Sequence, residues 1–257
     1  MGNSKRQKPS ESTWRHDIPG TPLELGEHIW LYGYHAVLAA LANPQRQKHR
    51  LVVTPKTFLE TFNSVEPEIM DRSKFDRLLP TGVVHQGIAL LTSPLPQISL
   101  KNLLDHTSNK SIIIALDQAN DPRNIGAVLR SASAFQADAV IIPERYSPQA
   151  TSVLAKSASG ALEKTPLIRV TNLARTLEQL KKVGYWCAGL VPDAKQTLAE
   201  AKLSGKIVLV LGAEGKGIRR LTRDRCDYLL RIPIDREMES LNISAAAAIS
   251  LYELNRI

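Results

Sequence analysis

From residue 111 to the end, the chain alternates short apolar runs with longer stretches of helical period. Runs at 112–117, 139–142, 167–170, 186–190, 207–211 and 228–234 are almost continuously apolar, the mark of strands covered on both faces. Stretches at 125–136, 150–159, 173–183 and 243–254 repeat their apolar positions every three or four residues and predict helices. Strands and helices in alternation predict an α/β domain built on a mostly parallel sheet. Ahead of it, residues 29–95 predict a smaller α/β unit, with a helix over 34–42 and strands at 50–53 and 88–91. Pro94, Pro96 and the polar residues that follow predict a linker over 96–110, and residues 1–28, polar and without apolar periodicity, predict a flexible arm.

Composition adds a partner class to this outline. The 257 residues carry a formal charge of +8, which favours a polyanion such as RNA, DNA or an anionic membrane surface. The apolar runs fall well short of the ~20 residues that cross a bilayer, so no membrane span is expected. The first twenty residues lack the apolar segment of a secretory signal, and the two cysteines, Cys187 and Cys226, stand far apart, which predicts a reducing, cytoplasmic setting. All six histidines precede residue 111, so the larger domain has no imidazole for hydrolytic chemistry. Two cysteines without a nearby histidine do not make a zinc site, and no metal is expected.

The Gly-rich segment LVLGAEGKGIRR, residues 209–220, follows a strong strand but has neither the spacing of a Walker loop nor that of a dinucleotide fingerprint. Its glycines suit a tight turn that also lets a ligand approach the backbone, and Glu214 within it is either a solvated carboxylate or a functional one. Lys216, Arg219, Arg220, Arg223 and Arg225 follow. On a short helix Arg219, Arg220 and Arg223 share a face, as a phosphate-binding patch or as a merely solvated surface. In DQANDPRNIGAVLRSASAF, Asn124 is a candidate N-cap, Ile125, Val128, Leu129 and Ala132 form the buried stripe, and Arg130 lies off it. Near the C-terminus, Ser240, Asn242 and Ser244 surround a helix start, as caps or as ligand-binding groups, and Ala245–Ala248 give that helix a slim side for close packing.

NDPRNIGAVLRSASAF, LVLGAEGKGI and RIPIDREMESLNISAAAAI together resemble the three motifs of the SpoU/TrmH family of 2′-O-ribose RNA methyltransferases, in order, over residues 111–257. WLYGYHAVLAAL and GVVHQGIAL resemble the substrate-binding module of the branch that methylates a guanosine of 23S rRNA. The resemblance implies a C-terminal SPOUT-type α/β trefoil-knot domain, which periodicity alone does not reveal, and a smaller N-terminal ribosomal-protein-like α/β substrate-binding domain. It implies S-adenosylmethionine as methyl donor, a homodimer packed near the knot, and RNA, 23S rRNA, as substrate. Carried onto matching positions, it implies catalytic roles for Asn124, Arg130, Glu214, Ser240 and Asn242, and cofactor contacts at Leu190, Gly212, Ile232 and Leu241.

A ribose hydroxyl is a poor nucleophile, so such a protein must orient it in line with the methyl group and ease loss of its proton. Guanidinium stays protonated, which assigns Arg130 to phosphate binding and alkoxide stabilisation, with phosphate, water or Glu214 as proton acceptor. The same reaction on tRNA, and a non-catalytic RNA-binding or ribosome-assembly role, are the alternatives; intact motifs speak against the second. One departure is the turn DREMES, whose three acids stand where the family commonly has a small, less charged turn.

Overall fold

The structure is a computed structural model that describes residues 28–57, 65–105, 108–145, 147–213, 215–235 and 237–256. The predicted arm lies outside these residues apart from its last position. The first unit contains β1 (Ile29–Tyr32), α1 (Tyr34–Ala42), β2 (Lys48–Val53), β3 (Pro67–Ile69), α2 (Arg72–Phe75) and β4 (Ile88–Thr92). Its sheet has the order β1-β4-β2-β3, with β4 antiparallel to both neighbours and β3 parallel to β2. One face is packed by Trp30, Tyr32, Val52, Phe75 and Leu79, and the other by α1 through Val37, Ala40 and Leu41.

Within the expected linker, residues 100–104 form a helix. Ser99 accepts a hydrogen bond from the Asn102 N–H at 3.2 Å and starts α3 (Leu100–Leu104). Leu100, Leu103 and Leu104 then pack on the core of the larger unit, which gives the segment an apolar reason to stay in place.

The larger unit contains β5 (Ser111–Asp117), α4 (Pro122–Ala134), β6 (Ala139–Pro143), α5 (Ser152–Ala158), β7 (Leu167–Val170), α6 (Leu173–Lys182) and β8 (Trp186–Leu190). It continues with β9 (Gln196–Thr197), α7 (Leu198–Ala201), β10 (Lys206–Gly212), α8 (Arg220–Arg223), β11 (Tyr228–Arg231) and α9 (Ile243–Arg256). The seven strands form one parallel sheet, order β7-β6-β5-β10-β8-β11-β9. Alternate residues of β5 point to opposite layers: Ile112, Ile114 and Leu116 pack with α4, α5 and α9, and Ile113 and Ala115 with α6. The expected strand over 228–234 ends at Arg231, because Pro233 has no N–H to continue a ladder.

Helix α4 begins three residues before its expected start. Asp121 is the N-cap, accepting from the Arg123 N–H at 2.8 Å, and Pro122 occupies the first helical position, where a missing N–H costs nothing. Asn124 therefore sits in the first turn, and the expectation that it caps the helix is corrected. The buried stripe Ile125, Val128, Leu129 and Ala132 is as expected, and Gly126 joins it.

Gly126 has no room for a side chain: a Cβ there would lie 2.5 Å from the Leu154 carbonyl oxygen and 2.6 Å from Ser157 Cβ, on α5. Replacing Gly126 by Val is expected to cost about 3 kcal/mol, since the obstruction is helix backbone that cannot yield without separating α4 from α5. Urea unfolding of the variant against the parent measures this, and an unchanged midpoint would contradict the packing described.

Candidate active site

In a parallel sheet with helices on both faces, ligands bind beyond the carboxyl ends of the strands. Among the segments that leave the sheet there are those after β5, β8, β10 and β11, the last of which leads into α9. Leu190 ends β8 and pairs in register with Leu211 of β10 and Leu230 of β11. Neighbouring strands lie about 4.8 Å apart, so Leu190, Gly212 and Ile232 come together at one rim. All three are partly buried, as is Leu241, next to Asn242 at the start of α9.

The turn after β10 is closed on itself. The Gly217 N–H donates to the Ala213 carbonyl at 2.8 Å, and Gly215 and Gly217 have φ of 74° and 63°, in the left-handed region that glycine adopts without strain. A Cβ on Gly212 would overlap the Gly217 carbonyl and the Ile218 nitrogen. Glu214 lies outside the described residues.

Asp117 anchors this turn to the neighbouring strand. Its side chain is fully buried at the end of β5, where Gly212 is its register partner. It accepts from the backbone N–H of Arg219 at 2.9 Å, from Nε of Arg219 at 2.7 Å and from a terminal nitrogen of the same guanidinium at 2.6 Å. The next residue, Gln118, has φ 64°, a strained conformation for a side-chain-bearing residue and one that collects at functional sites. The sequence reading missed both residues. An aspartate closing an otherwise apolar strand was the available signal for the first, and nothing short of coordinates signals the second.

The pairing of Arg219 corrects the picture of a concentrated basic patch. Arg219 precedes α8 and is committed to Asp117, Arg223 pairs with Asp193 at 2.8 Å, and Arg225 pairs with Glu178 at 2.8 Å. The Arg223 hydrogen bond holds the Asp193 carboxyl below its usual range. Acids distant in sequence, invisible to a count of local charge, have used three of the five cations. Lys216 and Arg220 remain exposed.

The polar half of the site is formed by α4 and α9. Asn242 Nδ2 donates to Asn124 Oδ1 at 3.1 Å, joining side chains 118 residues apart. Asn242 Oδ1 accepts from the Ser244 N–H at 2.9 Å and from the Ser244 hydroxyl at 2.6 Å, which fixes the orientation of its amide. Ser240 is exposed two residues earlier. Arg130 is exposed on α4; six residues from Asn124, it is displaced by about 9 Å of helix rise and about 120° around the axis. The structure therefore unites Asn124 with Asn242, and Leu190 with Gly212 and Ile232, but leaves Arg130 standing apart. Burial pushes the thiols of Cys187 and Cys226 up to about 12, which leaves neither as a nucleophile near neutral pH. Among the described residues there is no cluster of His, Cys, Asp or Glu suited to a metal ion, and no helix is long and apolar enough to cross a membrane.

The larger unit is thus a parallel α/β domain with a glycine turn at the carboxyl ends of its strands and a polar pair where its last helix begins. The chain matches the SpoU rRNA Methylase family over residues 111–252, and RNA 2'-O ribose methyltransferase substrate binding over residues 30–98. It belongs to the SpoU rRNA Methylase family. It is 40% identical over 238 residues to the 23S rRNA (guanosine-2'-O-)-methyltransferase RlmB of Pseudomonas putida, covering 88% of this chain and 95% of that one. To the protein of the same name from Escherichia coli it is 39% identical over 237 residues, covering 88% and 97%. Among solved structures, the SpoU methyltransferase AviRb from Streptomyces viridochromogenes, in complex with AdoMet, superposes with a TM-score of 0.76 at 20% identity over 90% of each chain, a likeness of fold.

Gly212→Ala should abolish the closed turn while leaving the sheet intact, because the added carbon meets backbone and not a yielding side chain. Calorimetric titration with S-adenosylmethionine is expected to show affinity at least about a hundredfold weaker, about 2.7 kcal/mol, in a variant that still folds but melts at a lower temperature, since the turn also carries Arg219 onto Asp117. Unaltered affinity would show that the rim at Gly212 is not the binding site.

Proposed function

We propose that this chain transfers a methyl group from S-adenosylmethionine to the 2′-hydroxyl of a ribose, and that the ribose belongs to a guanosine of 23S rRNA. The observation that carries the reading is the Asn124–Asn242 hydrogen bond, which ties the start of α4, after β5, to the segment after β11, on the strand-end edge where Leu190, Gly212 and Ile232 also lie. The rim fits such a donor: Gly212 leaves the backbone approachable, and Leu190, Ile232 and Leu241 offer partly apolar surface to an adenine ring. When bound, S-adenosylmethionine supplies a methyl group activated by its sulfonium charge. The trefoil knot implied by the family resemblance would fall on the chain around the Gly212 turn and the approach to α9.

The protein's own part is binding, orientation and charge. Asn124 and Asn242, oriented by each other and by Ser244, would position the ribose, and exposed Ser240 would reach the RNA backbone. Arg130 would clamp an adjacent phosphate and stabilise negative charge developing on the ribose oxygen. Glu214, phosphate or water would take the proton. RNA recognised by the first domain would be delivered to this pocket, in the cytoplasm, where rRNA is assembled.

We also infer a homodimer seated on α9. Its outer face carries Ala245, Ala248, Ile249 and Tyr252 in one stripe, with Ile249 and Tyr252 43% and 59% exposed and Phe135 against the Tyr252 ring. Exposed apolar side chains collected in this way mark an association surface, and small alanines permit close approach.

Incubation with labelled S-adenosylmethionine and unmodified 23S rRNA, followed by mapping of the methylated ribose, tests the activity directly; absence of transfer to any RNA would overturn it. Arg130→Ala is expected to reduce transfer by about a hundredfold or more while cofactor affinity stays within about twofold, and Arg130→Lys should not rescue it, because a point charge lacks the planar donor fork. Ile249→Asp combined with Tyr252→Asp should convert the dimer to a monomer in sedimentation velocity, and a dimer that survives both changes would place the interface elsewhere.

A further inference from the structure

The first unit does not hang from the second on a tether. Arg46, 3% exposed, directs its guanidinium at Glu163, whose side chain is 4% exposed. One terminal nitrogen of Arg46 bonds Glu163 Oε1, Nε donates to Oε2 at 3.2 Å, and the other terminal nitrogen donates to the Ser93 carbonyl at 2.9 Å. Asn43, which ends α1, adds a donor to Glu163 Oε2 at 2.8 Å. Glu163 reaches this position because the chain turns left-handed at both Ser159 and Gly160 as α5 ends. A Cβ on Gly160 would press on the Ala39 side chain and the His35 carbonyl, so the turn lies hard against α1.

A second polar joint lies in the last turn of α5. Gln86 holds a left-handed φ of 58°, and its side-chain oxygen accepts from the Tyr34 N–H at 3.1 Å and from Lys156 Nζ at 2.6 Å. The Lys156 stem lies where a side chain on Gly33 would be. The two segments that resemble the substrate-binding module, WLYGYHAVLAAL and GVVHQGIAL, thus converge on a lysine of the catalytic domain.

We propose that Arg46 and Glu163 are positioning residues that clasp the substrate-binding domain in one orientation on its own catalytic domain, so that bound RNA meets the Asn124–Asn242 pocket at a fixed offset. The proposal rests on the reading of function given above. A buried carboxylate supplied with three donors suits one relative orientation, because a rotated domain would leave both charges buried and unpaired. Burial of the pair therefore selects geometry more than it adds stability. The first turn of α4 is close to the clasped domain as well, since the charge on Arg123 opposes the upward shift that burial imposes on the Tyr32 hydroxyl.

The test uses the full chain, its Glu163→Gln variant and small-angle scattering beside single-turnover methylation of 23S rRNA. The wild type should scatter as one compact particle whose profile does not change with S-adenosylmethionine. The variant should scatter as a longer particle and transfer methyl groups about tenfold or more slowly, with the KM for RNA and the affinity for S-adenosylmethionine each within about threefold, since misplacement of reactants costs rate before it costs binding. Unchanged scattering, or full activity in a variant whose domains have separated, would overturn the proposal. If the variant does not fold, wild-type scattering decides, because a profile of independently moving domains contradicts the clasp outright. A wild type that methylates no RNA would overturn the assigned function instead, leaving scattering to judge the clasp.

Discussion

The rim of the larger domain depends on one buried carboxylate. Asp117 ends the interior strand β5 with no solvent contact, and Arg219 answers it with a backbone N–H and two guanidinium nitrogens. An unpaired carboxylate there would cost several kcal/mol, so the pairing is a condition of the fold more than a surplus of stability. Its consequence is geometric: the turn from Gly212 to Ile218 cannot move away from β5 without stranding that charge. Asp117 is also the residue at which β5 gives way to the loop that leads to α4 and Asn124.

Much of this was legible in the sequence. The six strands predicted for the larger domain are present, because parallel strands buried on both faces must be continuously apolar, and the stripe on α4 follows directly from helical period. Errors fell where local pattern competes with local chemistry. Asn124 looked like a cap, yet Asp121 followed by Pro122 makes a better helix start three residues earlier. Strands β1, β3 and β9 escaped notice, the last two because they have only three and two residues. The proposed cofactor contacts come from family likeness and not from physics, since no periodicity tells which strand ends will be neighbours. The sheet order supplies that, by placing β8 between β10 and β11.

Charge was the least legible property. Five cations within ten residues looked like a phosphate patch, but three are paired with Asp117, Asp193 and Glu178. Arg46 and Glu163, 117 residues apart, gave no sign of forming the most deeply buried ion pair described in the chain. Such pairs depend on tertiary proximity, which net charge and local spacing do not encode.

These observations bear on how one chain divides its work. An RNA 2′-O-methyltransferase must distinguish one ribose among thousands that are chemically equivalent, so the reacting centre cannot supply the selectivity. Selection has to come from contacts remote from the hydroxyl, and remote contacts discriminate well only if their distance to the reacting atom is fixed. A domain on a loose tether raises the local concentration of RNA near the site but allows many offsets. A domain docked through a buried, fully bonded ion pair allows few. On the proposed reading, α5 serves both purposes: one side packs against α4, which carries Asn124 and Arg130, and its last turn and the 161–163 turn that follows hold the substrate-binding domain through Lys156 and Glu163. The element that shapes the reaction pocket is then also the ruler that sets which nucleotide can enter it.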